Sequence, residues 1–290
     1  MAAAGSASLA DRVQAVAPTI QMLPVRTPTL PPATHTNTFL VGTREAVLVE
    51  PATPYREEQE LMVEWVQAAR LKGVEPLAIL ATHHHPDHVG GAMALKERLQ
   101  LPLWAHAMTA QRLDGIVHID MLIQDGERIV LDGPTPTALS ALHTPGHAPG
   151  HLCFTDEASQ IMIAGDMVAS VGTIIVEPAD GDMLLYLESL RKMSALGPAG
   201  LLPAHGELIQ QPQAILNYYI EHRLMREAKV LAALEARGKP SRPRHLVAEA
   251  YADTPKHLWP LALQSIEAHL IKLERESRVT KEGDCWSPVR

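Results

Sequence analysis

The chain is predicted to fold as an α/β protein followed by a small, mostly helical domain. Three observations carry that prediction. Apolar runs of about four to eight residues, the length of buried strands, alternate with longer stretches of helical spacing. Every dense polar cluster falls where such a run ends, in the order 83–88, 147, 166 and 205, and open α/β sheets place their sites at the carboxyl ends of strands. Beyond Gly238 and Pro240 a helical apolar stripe of Leu263, Ile266, Leu270 and Leu273 takes over.

Residues 1–18 are rich in alanine and are expected to form a flexible N-terminus. Thr19 to Val25 reads as a first strand, and Pro28, Pro31 and Pro32 make a link. Thr36 to Gly42 and Glu45 to Glu50 read as a hairpin turning at Gly42-Thr43-Arg44. Pro54 to Lys72 has helical spacing through Leu61, Val63, Trp65, Val66 and Ala69 and stops at Gly73. Pro76 to Ala81 is a buried strand, and Gly90-Gly91 opens a helix running to Leu99. Leu101 to Ala105 is a short strand, and His106 to Leu113 a short helix. Further strands are expected at 128–131, 135–142, from Leu152, at 161–166 and at 201–205. Asp182 to Leu196 is amphipathic, with Leu184, Leu187, Leu190 and Met193 on one side, and 212–237 is a long helix. The domain boundaries expected are 19–238 for the α/β body and 239–290 for the tail.

Composition narrows the function classes. Hydrophobic residues make up 46% and charged ones 20%, an ordinary globular balance. Two cysteines, Cys153 and Cys285, imply no disulfide framework, so a metal site here must use His and carboxylate. No basic segment followed by a long apolar run opens the chain, and no window is apolar enough to span a membrane. A cytoplasmic location is therefore expected. The tail carries nine Lys/Arg against seven Asp/Glu, whereas the rest carries 16 against 26. An acidic body does not attract nucleic acid by itself.

The chemistry sits in Thr82-His83-His84-His85-Pro86-Asp87-His88, between the 76–81 strand and the helix. Neutral imidazoles at His83, His85 and His88 beside the Asp87 carboxylate suit zinc, iron or manganese. His83 and His85 can point one way while Asp87 and His88 turn another, which allows two ions rather than one. The second dense stretch runs from His143 through Pro145, Gly146, His147, Pro149 and Gly150 to His151. Its Pro and Gly residues force a tight loop that can present His147. Asp166 ends Ile161-Met162-Ile163-Ala164-Gly165, and His205 ends Leu201-Leu202-Pro203-Ala204.

In this order and context the residues resemble the ligand series of the metallo-β-lactamase superfamily, over about residues 19–237. The resemblance implies a four-layer αββα sandwich with its site at one edge of two facing sheets. It implies that His83, His85 and His147 hold one metal, that Asp87, His88 and His205 hold the other, and that Asp166 bridges them. Two divalent ions, zinc foremost, are the cofactors so implied. A closer resemblance is to the lactamase-like endoribonuclease branch. It rests on Thr36-Asn37-Thr38-Phe39-Leu40-Val41-Gly42, on Tyr186-Leu187-Glu188-Ser189-Leu190, on Pro203-Ala204-His205-Gly206 and on His222-Arg223-Leu224-Met225-Arg226-Glu227. The tail, through Ala268-His269-Leu270-Ile271-Lys272-Leu273 and a wing at Arg278 to Lys281, resembles that branch's winged-helix-type domain. One departure stands out: the hairpin ends in Glu50, where the superfamily usually has an Asp that orients a metal ligand.

A bound metal lowers the pKa of water from about 15.7 to about 7, which supplies hydroxide at neutral pH. Asp87 is the candidate catalytic acid or base. His84 is expected to face substrate or solvent, His151 to make a structural hydrogen bond, and Asn37 to fix a loop. His106, His118 and His143 are expected to be ordinary polar histidines. Three readings follow. The first is a dinuclear phosphodiesterase acting on single-stranded RNA, as the closer resemblance implies. The second is a small-molecule hydrolase of a thioester, lactone or ester, favoured by the acidic body and by the low aromatic content of 4%, which leaves few platforms for bases. The third is a binding module without activity, which a complete ligand set argues against. The tail is expected either to form a separable domain or to pack on the core or on a second copy as a homodimer.

Overall fold

A computed structural model describes residues 9–289, and these fall into two compact units. The first holds 9–143, 150–173 and 198–212. Among its described residues, seven strands form one mixed sheet in chain order: β1 (Gln14–Ala17), β2 (Ile20–Arg26), β3 (His35–Gly42), β4 (Glu45–Val49), β5 (Glu75–Leu80), β6 (Leu103–Ala105) and β7 (Met121–Leu122). A second sheet of five contains β8 (Arg128–Leu131), β9 (Thr137–His143), β10 (Leu152–Asp156), β11 (Ile161–Gly165) and β12 (Gly200–Pro203), ordered β12-β11-β10-β9-β8. The helices are α1 (Leu9–Arg12), α2 (Arg56–Leu71), α3 (Pro86–Val89), α4 (Ala92–Leu99) and α5 (Ala107–Arg112).

Side-chain alternation explains the stacking. Phe39, Val41, Val47, Val49, Ala78 and Leu80 of the large sheet pack in one cluster with Leu139, Ala141, Leu152, Phe154, Ile163 and Leu202 of the small one. Their neighbours Leu40, Ala46, Leu48 and Ile79 face the other way and pack with Met62, Val63, Trp65 and Val66 of α2 and Leu95 and Leu99 of α4. Both faces of β3 and β4 are thus buried, which is why these strands read as near-continuous apolar runs. Full burial of one Phe or Leu contributes about 1.5–3 kcal/mol, so Phe39 and Phe154, both fully buried, anchor the sandwich.

The edge that matters is where parallel neighbours end together. β4 pairs in parallel with β5, and β11 with β12, so Glu50, residues 82–88, Asp166 and His205 all follow carboxyl ends. The Gly90-Gly91 pair is dictated by space, since a Cβ on Gly90 would lie 2.6 Å from the Pro86 carbonyl oxygen and 2.9 Å from Pro54 Cδ. Within the stretch expected to form the N-terminus, Gln14–Ala17 forms an antiparallel edge strand against β2. Its ordering comes from backbone pairing, with no buried side chain of its own to betray it in the sequence. Residues 1–8 of that expectation lie outside the described residues.

The second unit comprises 144–149, 174–197 and 213 onward. It contains α6 (Met183–Leu196), most of α7 (Pro212–Arg237), α8 (Val247–Ala250), α9 (Trp259–Arg275) and the hairpin of β13 (Val279–Glu282) and β14 (Cys285–Pro288). Its core joins Val230 and Leu234 of α7 to Ile266, Leu270 and Leu273 of α9 and to Val279 and Trp286 of the hairpin. Leu263 is only half-buried, and the neighbouring Ala262 faces the core instead. Because α7 shares an apolar face with α9, this unit takes in most of α7.

Candidate metal centre

Glu50 ends β4 with φ +68°, in the left-handed region that non-glycine residues seldom adopt. Its backbone is held on both sides: its N–H donates to the Leu80 carbonyl at 2.9 Å, and its carbonyl accepts from Thr38 Oγ1 at 2.8 Å. The side chain, fully buried, reaches two neighbours of the metal loop. Thr82 Oγ1 donates to Oε1, and Oε2 lies 3.2 Å from His88 Nδ1. Since Thr82 donates its only proton to Glu50, its oxygen can only accept from His83 Nδ1, 2.9 Å away. That puts a proton on His83 Nδ1 and the lone pair on Nε2, which faces His85 Nδ1, and the Glu50 carboxylate 3.2 Å away favours a proton on His88 Nδ1. One carboxylate thus sets the tautomer of two imidazoles. The extra methylene of Glu relative to Asp does not break the contact, because the left-handed turn brings the carboxylate to the loop.

The loop itself explains how its ligands diverge. His83 precedes α3 in extended backbone, and His85 occupies the N-cap position, whereas Asp87 and His88 lie within the helical turn that Pro86 opens. His83 Nε2 and His85 Nδ1 come within 3.0 Å of each other. On the other side, His88 Nε2 stands 3.6 Å from Asp166 Oδ1 and 3.8 Å from Asp87 Oδ1. His205 Nε2 stands 3.4 Å from the same Asp166 oxygen and 3.6 Å from Asp87 Oδ2. Asp87, His88 and His205 each offer one donor atom within 4.8 Å of the others.

Crowded charges dominate the electrostatics of this cluster. Burial works against a charged His88, yet Glu50, Asp166 and Asp87 outweigh it and hold its pKa well above the usual imidazole value. Burial likewise opposes charge on Asp166, but His88 and His205 keep its pKa well below the ordinary carboxylate range. His205 is raised too, its burial outweighed by Asp166. Neither ring nitrogen of fully buried His88 makes a hydrogen bond. Crowded carboxylates recruiting protons onto imidazoles are what a site for a cation looks like, and the N and O donors suit a first-row divalent ion.

Residues 31–205 match the profile described as "Metallo-beta-lactamase superfamily". The chain belongs to the metallo-β-lactamase superfamily. Residues 243–286 match its associated winged helix domain. "Beta-lactamase-like protein 2 homolog" of Drosophila melanogaster is 30% identical over 71% of this chain and 72% of its own length. "Atrochrysone carboxyl ACP thioesterase" of Aspergillus chevalieri is 32% identical over 85% of this chain and 78% of its own. The crystal structure of a beta-lactamase domain protein from Burkholderia ambifaria superposes with TM-score 0.79 at 21% identity, covering 99% of this chain and 96% of that one, and this shows the shared fold. Membership makes the chain an enzyme of a hydrolase superfamily.

Other expected residues of this metallo-β-lactamase fold take definite places. His147 lies in the second unit, where its Nδ1 is 2.8 Å from the Ile175 carbonyl, an acceptor that puts the proton on Nδ1. His151 is fully buried, and its Nε2 accepts from the Asp166 N–H at 3.1 Å, the structural bond expected of it. Gly165, at φ +48°, lets that ring in, since a Cβ there would lie 2.5 Å from His151 Nε2. Asn37 fixes the His205 loop by donating to the carbonyls of Pro203 and Gly206 at 2.9 and 2.7 Å. His106 caps α5 and stacks on His143 at 4.1 Å, His118 is exposed, and His84 is half-buried. Sequence reasoning missed Thr82, the link between Glu50 and His83. Its position directly before the first ligand, at the strand end, was the available signal. It also missed His35, whose carbonyl lies 2.9 Å from His205 Nδ1 and orients that ring. Among the described residues no helix is long and apolar enough to cross a membrane.

Proposed function

We propose that the protein is a two-metal hydrolase of small acyl substrates, with thioesters the favoured class. His83, His85 and His147 hold one ion, Asp87, His88 and His205 the other, and Asp166 is shared, with zinc or a similar first-row ion in both places. The observation that supports this most is the convergence of two imidazoles and two carboxylates on one point, His88 and His205 facing the same Asp166 oxygen at 3.6 and 3.4 Å. When bound, such a pair of ions lowers the pKa of water to about 7 and steadies the charge that develops on a carbonyl oxygen. The side chains do the rest. Glu50 and Thr82 fix tautomers, His35 orients His205, and Asp87, with a side chain 17% exposed, is the carboxylate placed to hold or move a proton.

A thioester suits this equipment because a thiolate leaves readily without a strong acid to protonate it. Water adds to the acyl carbon, the C–S bond breaks, and the products are a carboxylic acid and a thiol. The Aspergillus relative is named a thioesterase, and the excess of 26 acidic over 16 basic residues in 1–238 disfavours a polyanion. RNA is the second reading. Its support is the match of 243–286 to the winged helix profile; Arg242, Arg244 and Lys281 do gather there, but with Glu267 and Asp284 among them and Trp286 buried. The test loads the protein with zinc, counts the ions, and offers it acyl thioesters, esters and lactones beside single-stranded RNA. Two ions per chain and thioester turnover that stops with chelator and with Asp87→Ala are expected. RNA cleavage with no acyl turnover would replace the first reading by the second.

A further inference from the structure

The loop of residues 144–149 carries His147 and is held at three successive residues. The Pro145 carbonyl accepts from Ser189 Oγ at 2.8 Å, the Gly146 carbonyl accepts from the Asp182 N–H at 2.8 Å, and His147 Nδ1 is 2.8 Å from the Ile175 carbonyl. Gly146 has φ +134°, and a Cβ on it would lie 2.2 Å from the Tyr186 nitrogen. The loop therefore rests on the first turn of α6 at backbone contact, and the position of His147 is only as fixed as residues 174–182 and that first turn.

What fixes them comes from α7 and α9. Asp182 caps α6, its Oδ1 accepting from the N–H groups of Leu184 and Leu185 at 2.9 and 3.1 Å, while its Oδ2 accepts from Arg275 of α9. Gln264 of α9 donates to Glu177 Oε1 at 3.1 Å. Arg223 of α7 donates to the carbonyl of Ile174, next to the carbonyl that holds His147, and lies over the Tyr186 ring at 5.4 Å. All of these residues belong to one compact unit.

We infer that helix α9 of the winged-helix segment acts as a brace for the His147 loop, with Arg275 a positioning residue for one metal ion. This rests on His147 being a ligand, as proposed above. The brace is not chiefly a matter of stability. The Arg275 side chain is 51% exposed, and an exposed ion pair contributes little to folding. Its partner is different: Asp182 is fixed by two bonds to α6, and its own N–H grips the loop one residue before His147. The ion pair therefore steers a ligand while adding little to the fold.

The test uses the full chain and reads metal binding rather than turnover. Arg275→Glu sets a carboxylate against Asp182. It should weaken one of the two ions by about tenfold, the lower end for partners that support a ligand, while the other ion and the thermal midpoint stay near the parent's. The cobalt-substituted protein should show a changed visible spectrum, and Arg275→Lys should restore both spectrum and affinity. His147→Ala, measured alongside, should release that ion outright. If Arg275→Glu keeps both parent affinities while His147→Ala loses an ion, the brace is refuted and the site stands. If His147→Ala keeps both ions, the ligand assignment itself fails. Should the charge reversal prevent folding, Arg275→Ala combined with Gln264→Ala removes both α9 contacts without repulsion, and unchanged affinity there refutes the brace equally.

Discussion

Replacing Glu50 by glutamine is the sharpest probe of how the metal loop is organised. The carboxylate has two oxygens, and each faces a donor: Oε1 the Thr82 hydroxyl, Oε2 the Nδ1 of His88. Glutamine keeps the shape but offers one oxygen and one amide nitrogen, and the nitrogen cannot accept. Whichever way it lies, one contact becomes donor against donor. Facing His88, the amide drives the imidazole proton from Nδ1 to Nε2, which points at Asp166 and Asp87 and is the nitrogen a metal needs. Facing Thr82, it disorders the hydroxyl that sets the tautomer of His83. An unsatisfied buried group costs about 1–3 kcal/mol, and losing an outer partner weakens a metal by about 10–100-fold, or about 1.4–2.7 kcal/mol. The two scales agree, so one ion should weaken by that factor. Glu50→Ala removes both contacts and should weaken both ions. Chelator competition gives the two affinities, and thermal unfolding of the metal-free proteins separates affinity from folding. If glutamine leaves both affinities at the parent values, the tautomer argument is wrong.

Further outcomes follow from the same geometry. Asp87→Ala should lower turnover by about 10²–10⁴-fold, the usual contribution of a positioned acid or base, while circular dichroism stays unchanged; near-parent turnover with intact metal content would remove Asp87 from the chemistry. His84→Ala should leave two ions bound by metal analysis, and the loss of an ion there but not in His83→Ala would shift the ligand register. Metal-free protein should lose thermal stability as pH rises from neutral towards alkaline. His88 is held above its unfolded pKa, so its contribution is complete below about 6.5 and fades as pH climbs through the folded value. The metal-loaded protein should not show that slope, and a flat metal-free profile counts against the charged cluster.

Much of this was legible in the sequence because strands buried on both faces give long apolar runs, and each run here stops at a polar residue. Ile161 to Gly165 followed by Asp166, and Gly200 to Pro203 followed by Ala204 and His205, show the point plainly. What was hidden had no side-chain pattern. β1 is ordered by backbone pairing, and β7 is two residues long. The role of Thr82 needs a hydrogen-bond direction that no spacing reveals. The grip of α9 on 174–182 joins residues up to 93 positions apart, Arg275 and Asp182, through side chains that read as ordinary surface charges.

The pairing of β11 with β12 contains an irregularity with a consequence for how this family can vary. Ile163 pairs with Leu202 and Gly165 with Pro203, so Ala164 is one residue too many. In a strand, each residue added or removed turns everything after it to the opposite face. The bulge therefore works as a phase shift between a buried core and the ligand that follows it. Insertions in the turn before Ile161, where Gln160 already adopts φ +56°, leave that phase alone and should be tolerated. A single insertion or deletion between Ile163 and Asp166 would send the carboxylate away from His88 and His205. Relatives that keep this site should therefore vary in length on one side of β11 and not on the other.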